Sequence, residues 1–299
     1  MNRPDIRWVV PERGNRIVMT ALLGFARRFG RRRTSMLLWP ISFYFLVMDY
    51  RARRGSRVCL QRILGRQIGL RDIFRHIHRF AEVTLDRVYF LLGGVDEPKL
   101  HVSGRDVLLD ALGRGKGCLL LGAHIGSFDA MRALGAERNI RMRMLMYRRN
   151  LGGATAALEA LAPDYEAGII AIGQPDTMLK VAESLARGEV VGILADRAAI
   201  AGRSVGVHLF GREIRLPEGP FRLALLTGAP IVMASALRRN DGSYDVKFEA
   251  MPSLLATQGR GRRALVQAAA ERYAAWMENL CRAHPFAWFN FYDYWNETT

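Results

Sequence analysis

Lysine is almost missing from this chain: of its 44 basic residues only Lys99, Lys116, Lys180 and Lys247 are lysine, and the rest are arginine. Either GC-rich coding or selection for bidentate phosphate contacts produces such a preference. Cysteine is nearly as scarce. Cys59, Cys118 and Cys281 lie far apart, with no CxxC and no Cys/His cluster, which argues against a disulfide framework or a structural zinc site and predicts a reducing compartment. No apolar run reaches the roughly 18–20 residues that cross a bilayer. The N-terminus lacks a compact apolar core followed by a small-residue cleavage site, so the expectation is a cytoplasmic chain. Metal and nucleotide signatures are missing too: there is no HExxH, no GxGxxG after a strand, and the Gly113–Gly117 stretch lacks the spacing and the Ser/Thr of a P-loop.

What is present is a globular composition. The 299 residues are 50% hydrophobic and 24% charged, too apolar for disorder and long enough for a large core. The formal net charge is +16, and its excess is local: residues 1–80 hold 18 arginines against four acids, while the remainder carries 26 basic and 24 acidic residues. A basic surface confined to one end calls for phosphates or an acidic protein as its partner.

Within that basic end run two apolar stretches, Ile17–Phe29 and Met36–Met48, separated by Arg31, Arg32 and Arg33 and followed by Arg51, Arg53 and Arg54. Arginine on both flanks suits a segment lying in the headgroup plane better than one crossing it. Trp39, Phe43, Tyr44, Phe45 and Tyr50 supply the aromatics favoured there. Core helices with solvated arginines, or a short tilted span, are the alternatives. From Ser56 to Leu92 apolar residues recur at helical spacing (Ile73, Ile77, Phe80, Val83, Leu85, Val88, Leu91), with Arg71, Arg75 and Arg79 on another face. His76 and His78, two apart, point to different faces of such a helix and read as packing or surface residues.

After Gly93-Gly94 the pattern alternates. Apolar runs at Cys118–Leu121, Met142–Met146, Ile169–Ile172, Val190–Leu194 and Ile231–Ala236 predict buried strands; Asp106–Leu112, Phe128–Leu134, Ala154–Leu161 and Thr177–Ala186 predict helices between them. A hairpin at Val207–Leu216, a strand through Tyr244–Phe248 and a last helix over about Arg262–Ala283 complete an α/β layered sheet. The expected organisation is a basic helical region over 1–95 packed as one domain with an α/β core over 96–299.

One segment stands out chemically, Gly122-Ala123-His124-Ile125-Gly126-Ser127-Phe128-Asp129. A strand ends at Gly122, Ser127 offers an N-cap, and Asp129 falls in the first helical turn. His124 then sits at the carboxyl edge of the sheet, where open α/β sheets bind ligands. Asp129 is positioned to curl back to the imidazole and orient it as a general base; an ordinary cap beside a loop histidine is the alternative. The GxSxG match at Gly202–Gly206 has a loop before it and a strand after it, the reverse of a nucleophile elbow, which argues against a serine hydrolase.

The string GAHIGSFDAMR resembles the His-x-x-x-x-Asp/Glu motif of the lysophospholipid and lipid A biosynthesis (late) acyltransferase superfamily. Val190–Arg197 and His208–Val232 resemble that superfamily's later blocks. The aromatic stretch Pro285–Trp295, with Trp8 and Pro11–Gly14, resembles the branch of predicted acyltransferases associated with aryl-polyene and related lipid clusters. The resemblance covers nearly the whole chain and implies a glycerolipid-acyltransferase-like fold. It also implies transfer of an acyl group from an acyl-carrier-protein or coenzyme A thioester to a hydroxyl of a membrane-associated acceptor, without a further cofactor or a metal. In that scheme His124 is the base and Asp129 its orienting carboxylate. Arg197 and backbone N–H groups near Gly126 and Ser127 cover the oxyanion, and Asp196 stands at the superfamily's acidic position. Arg148 and Arg149 are candidate phosphate or sugar contacts. Glu218, in Leu216–Pro220, superficially matches a Pro-Glu-Gly motif but also reads as a first-turn acid at a helix N-terminus. The implied location is the cytoplasmic face of a bacterial inner membrane, on anionic lipid and without nucleic acid. The rival class is a non-enzymatic module binding anionic lipid or nucleic acid, supported by the arginines alone; nucleic-acid binding would not call for the apolar runs beside them.

Overall fold

The structure, a computed structural model, describes residues 16–92, 97–137, 140–146, 168–198, 202–254 and 261–297. Four helices come first: α1 (Arg16–Met36), which breaks at Gly30, α2 (Leu38–Met48), α3 (Tyr50–Leu64) and α4 (Leu70–Leu92). The helical spacing read over Ser56–Leu92 is carried by two helices, α3 and α4. Gly65 takes the left-handed conformation at φ 63°, and its N–H closes the last turn of α3 on Gln61 O at 2.9 Å.

The core alternates strands and helices: β1 (Leu100–Ser103), α5 (Arg105–Gly113), β2 (Cys118–Gly122), α6 (Phe128–Glu137), β3 (Met142–Met146), β4 (Ile169–Ala171), α7 (Thr177–Ala186) and β5 (Val190–Leu194). A hairpin of β6 (Ser204–Leu209) and β7 (Arg212–Pro217) follows, then α8 (Gly219–Thr227), β8 (Ile231–Arg238), β9 (Tyr244–Ala250), α9 (Arg262–Ala283) and the short α10 (Tyr294–Glu297). Seven strands form one sheet in the order β1-β9-β8-β2-β5-β3-β4. Every pairing in it is parallel except β8 with β9, so β1 and β9 run against the other five. β1 escapes a reading by hydrophobic pattern because it is an edge strand with three of its four residues exposed. The helix expected at Ala154–Leu161 lies outside the described residues.

Strand alternation divides the core. Leu119 and Leu121 of β2 face α7, α8, α9 and the hairpin, whereas Cys118 and Leu120 face α4, α5 and α6. All four are fully buried, and each such leucine contributes about 1.5–3 kcal/mol. Both faces of β2 being covered explains why it reads as an unbroken apolar run.

The N-terminal helices are built into this core. Cys59 and Ile63 of α3 join the cluster on one face, and Val83 and Phe90 of α4 join the other. Where the C-terminal segment crosses α3 the helix carries Gly55, at which a Cβ would fall 2.2 Å from the carbonyl carbon of Phe291. Asp86 of α4, 1% exposed, accepts hydrogen bonds from Arg31 Nε at 2.7 Å, Arg238 Nε at 2.6 Å and Tyr244 Oη at 2.8 Å, tying α1 and α4 to β8 and β9.

α2 behaves differently. Leu38, Ser42 and Leu46 face inward, but Trp39, Phe43, Tyr44, Met48 and Tyr50 are each 60% exposed or more. Arg32, Arg33, Arg51 and Arg54 on its flanks are exposed as well. No helix among the described residues is long and apolar enough to cross a membrane.

Candidate active site

β2 ends at Gly122, and the chain must turn sharply before α6. Gly126 makes that turn possible: its φ is +75°, and a Cβ there would fall 2.1 Å from Ala236 O. Ser127 caps α6 as its sequence position predicts, its Oγ accepting the Ala130 N–H at 3.2 Å. His124 is thereby presented at the carboxyl edge of β2, beside the end of β5, which delivers Asp196 and Arg197 from the parallel neighbour.

The imidazole Nδ1 of His124 lies 2.8 Å from Asp196 Oδ1. The imidazole is 32% exposed and the carboxylate fully buried. Burial works against the charge on Asp196, but His124, Arg197 and the Trp288 indole together hold its pKa far below the usual carboxylate range. An ionised carboxylate only accepts, so Nδ1 carries the proton and Nε2 offers a lone pair. Burial, and next the Arg197 guanidinium, lower the His124 pKa against the opposing pull of Asp196. The imidazole is therefore neutral at physiological pH.

The C-terminal aromatic segment holds this pair. The Trp288 indole N–H donates to Asp196 Oδ2 at 3.3 Å, and Tyr294 Oη donates to the Asp196 carbonyl at 2.6 Å. Phe289 N–H donates to the His124 carbonyl at 2.9 Å, and Tyr273 Oη of α9 to the Gly122 carbonyl at 2.6 Å. Behind Trp288, His76 of α4 donates from Nε2 to its carbonyl at 2.8 Å and accepts at Nδ1 from Ser56 Oγ at 2.8 Å. Sequence reading placed none of Tyr273, Trp288, Tyr294 or His76 at the site. The aromatic run Pro285–Trp295 was visible, but nothing in it signals which rings face a carboxylate 92 residues away.

The expected pairing of Asp129 with His124 does not form. Asp129 faces α4, and its carboxylate meets Arg87 Nε at 3.3 Å, while Asp196 takes the place beside the imidazole. The reason is geometric: once Ser127 caps α6, the first turn packs on α4 and carries Asp129 with it. The expected oxyanion donors also change. Gly126 N–H is bonded to Ala287 O at 2.9 Å and Ser127 N–H to Ala236 O at 2.8 Å, so both are committed to structure. Arg197 does lie at the site, its Nε 3.8 Å from Asp196 Oδ2, its Nη2 donating to Phe289 O at 3.2 Å and its guanidinium over the Tyr292 ring. Glu218 is not brought to the pair. It pairs with Arg222 at 3.3 Å on a separate cleft beside the hairpin. Arg148 and Arg149 lie outside the described residues.

Other nucleophiles fit poorly. Burial pushes the Cys118 thiol up to about 12 and raises those of Cys59 and Cys281 as well, so none offers a thiolate. Among the described residues no cluster of His, Cys, Asp and Glu could hold a metal ion.

A parallel-dominated α/β sheet with a histidine–carboxylate pair at its carboxyl edge defines a class of candidate general-base enzymes. Comparison with known proteins makes the class specific. Residues 95–297 match the family described as bacterial lipid A biosynthesis acyltransferase, and the chain belongs to that family. It is similar to the phosphatidylinositol mannoside acyltransferase of Mycobacterium tuberculosis, 27% identical over 242 residues that cover 75% of this chain and 66% of that protein. It is also similar to the phosphatidylinositol mannoside acyltransferase of Mycolicibacterium smegmatis, 26% identical over 249 residues that cover 76% of each. The match thus spans just under two thirds of the Mycobacterium tuberculosis relative.

Proposed function

We propose that this chain transfers a fatty acyl group from a thioester, carried by acyl carrier protein or coenzyme A, to a hydroxyl of a membrane-associated lipid or glycolipid. The observation that carries the reading is the 2.8 Å contact between His124 Nδ1 and Asp196, which leaves Nε2 unprotonated on a neutral imidazole. In the proposed reaction Nε2 takes the proton of the acceptor hydroxyl as its oxygen attacks the thioester carbonyl. A new C–O bond forms, the C–S bond breaks, and the departing thiolate recovers the proton from the imidazolium. Asp196 fixes the tautomer and stabilises the imidazolium. Arg197 supplies the positive charge near the oxyanion, and Asp129 holds α6, and with it the His124 loop, against α4 through Arg87. A glycolipid acceptor is supported by the names of the similar mycobacterial proteins, and an aryl-polyene-type lipid by the resemblance of Pro285–Trp295, with Trp8 and Pro11–Gly14, to the branch associated with such lipids.

The acceptor's location gives the exposed face of α2 its role. Its Trp39, Phe43 and Tyr44 enter the headgroup region of an anionic leaflet, and the arginines around them meet lipid phosphates, seating the enzyme on the cytoplasmic face of a bacterial inner membrane. The helix's 11 residues rise about 16 Å, half of a bilayer core, which favours lying in the interface over crossing it. The test is thiol release from acyl-carrier-protein and coenzyme A thioesters in the presence of a bacterial membrane-lipid extract. Lipid-dependent release that His124→Ala abolishes supports the reading; equal release by both proteins overturns it.

A further inference from the structure

On the sheet face that carries α8 and α9, a cleft of about 690 Å³, lined by neither His124 nor Asp196, opens between the hairpin and these two helices. Among the described residues Arg203, Arg215, Arg222, Arg262 and Arg263 line it, against two carboxylates, Glu213 and Glu218. Glu218 is paired with Arg222 at 3.3 Å, and Arg215 Nη1 lies 3.5 Å from Ser204 Oγ. Among the described residues Arg203, Arg262 and Arg263 have no acidic partner. We propose that this cleft is a binding site for a phosphate ester.

Two features of the sequence support a ligand there over a merely solvated basic surface. Arg262 and Arg263 occupy the first turn of α9, where the helix dipole already concentrates positive charge and where helices ordinarily carry acids. The chain accepts this unfavourable placement, and Gly261, the N-cap of α9, gives the first N–H groups of that helix no side-chain hydrogen bond. A helix start without a side-chain cap and three guanidiniums without an acidic partner among the described residues, gathered around one cleft, form a phosphate-binding arrangement. The wall is not wholly polar. Leu225, Leu226, Val205 and Val266 also line it, and Leu226 is 65% exposed, so the ligand presents an apolar or aromatic portion next to its phosphate.

Two sources offer that chemistry, the nucleotide end of a coenzyme A-type molecule and the headgroup of an anionic phospholipid. Binding is measured without turnover, so the proposal stands or falls separately from the acyl-transfer reading. The probes for the full chain are adenosine 3′,5′-bisphosphate, by calorimetry, and vesicles of equal parts phosphatidylcholine and phosphatidylglycerol, by sedimentation. Saturable bisphosphate binding that weakens about tenfold or more in the Arg262→Ala/Arg263→Ala double variant supports the site and assigns the nucleotide source. Vesicle binding that falls as much in that variant, with no bisphosphate binding, supports the site and assigns the headgroup. Glu213→Gln, which removes the opposing carboxylate, tightens the same ligand several-fold, a gain that misfolding cannot produce. Affinity for both probes unchanged in the double variant and in Glu213→Gln overturns the proposal.

Discussion

An imidazole whose Nδ1 is held by a buried carboxylate has one nitrogen left for chemistry, and at His124 the surroundings set when that nitrogen is free. Its pKa lies below the ordinary value, with burial first and Arg197 second among the causes, so the base form is present at neutral pH. In the proposed reaction kcat/KM therefore falls only as pH drops below about 6.5 and is flat above it. Replacing Arg197 by Gln removes a lowering influence and moves that acid limb to higher pH; Asp196→Asn removes a raising one and moves it lower while depressing the plateau. A pH–rate profile of the three proteins reads both directions. At this scale the sequence was legible only in part. His124, Gly126 and Ser127 announce a strand-to-helix turn by local spacing. The choice between Asp129 and Asp196 as the histidine's partner rests on strand order, because β5 lies beside β2 only in the folded sheet. A short-range motif cannot express that adjacency.

At the scale of elements, α4 links the basic N-terminal region to the site. His76 is fully buried between Ser56 of α3 and the carbonyl of Trp288, the residue whose indole supports Asp196. Burial lowers its pKa to about 4, against the raising influence of the Trp288 carbonyl. The unfolded chain protonates this imidazole near pH 6.5, so between pH 6.5 and 4 the unfolded state binds more protons and stability falls as pH drops. The loss amounts to about 3 kcal/mol across that window. Urea unfolding of wild type and His76→Gln at pH 7 and pH 4.5 checks this: the variant is the less pH-sensitive of the two. Had the sequence been read only for periodicity, His76 would remain a packing histidine on an amphipathic helix, which is correct as far as it goes. That it closes on a carbonyl 212 residues away is a tertiary fact. The strands of the sheet were the most legible elements, since burial on both faces writes itself as continuous apolar runs; the exposed edge strand β1 was not.

For the whole molecule, the excess of positive charge and the exposed aromatic surface of α2 both belong to the N-terminal part of the chain. Arginines flank α2, whose Trp39, Phe43 and Tyr44 face outward, while the rest of the chain is nearly balanced in charge. If this end seats the enzyme on anionic lipid, Trp39→Ser/Phe43→Ser weakens sedimentation with phosphatidylglycerol-containing vesicles about tenfold or more without changing the unfolding midpoint. Raising salt weakens the wild-type interaction through the arginines. Unchanged vesicle binding in the double variant contradicts this seating. The separation of the basic end was legible from composition, but which apolar residues face outward required the packing of α2 on α4.

The central claim is that His124 works with Asp196, and the most direct test compares two conservative substitutions in the lipid-dependent thiol-release assay. Asp196→Asn leaves a neutral amide where the carboxylate fixed the tautomer, and the account predicts a loss of about a hundredfold or more in kcat/KM. Asp129→Asn weakens only the contact with Arg87, and the account predicts a loss of less than about tenfold. A severe loss in Asp129→Asn with Asp196→Asn close to wild type would contradict it.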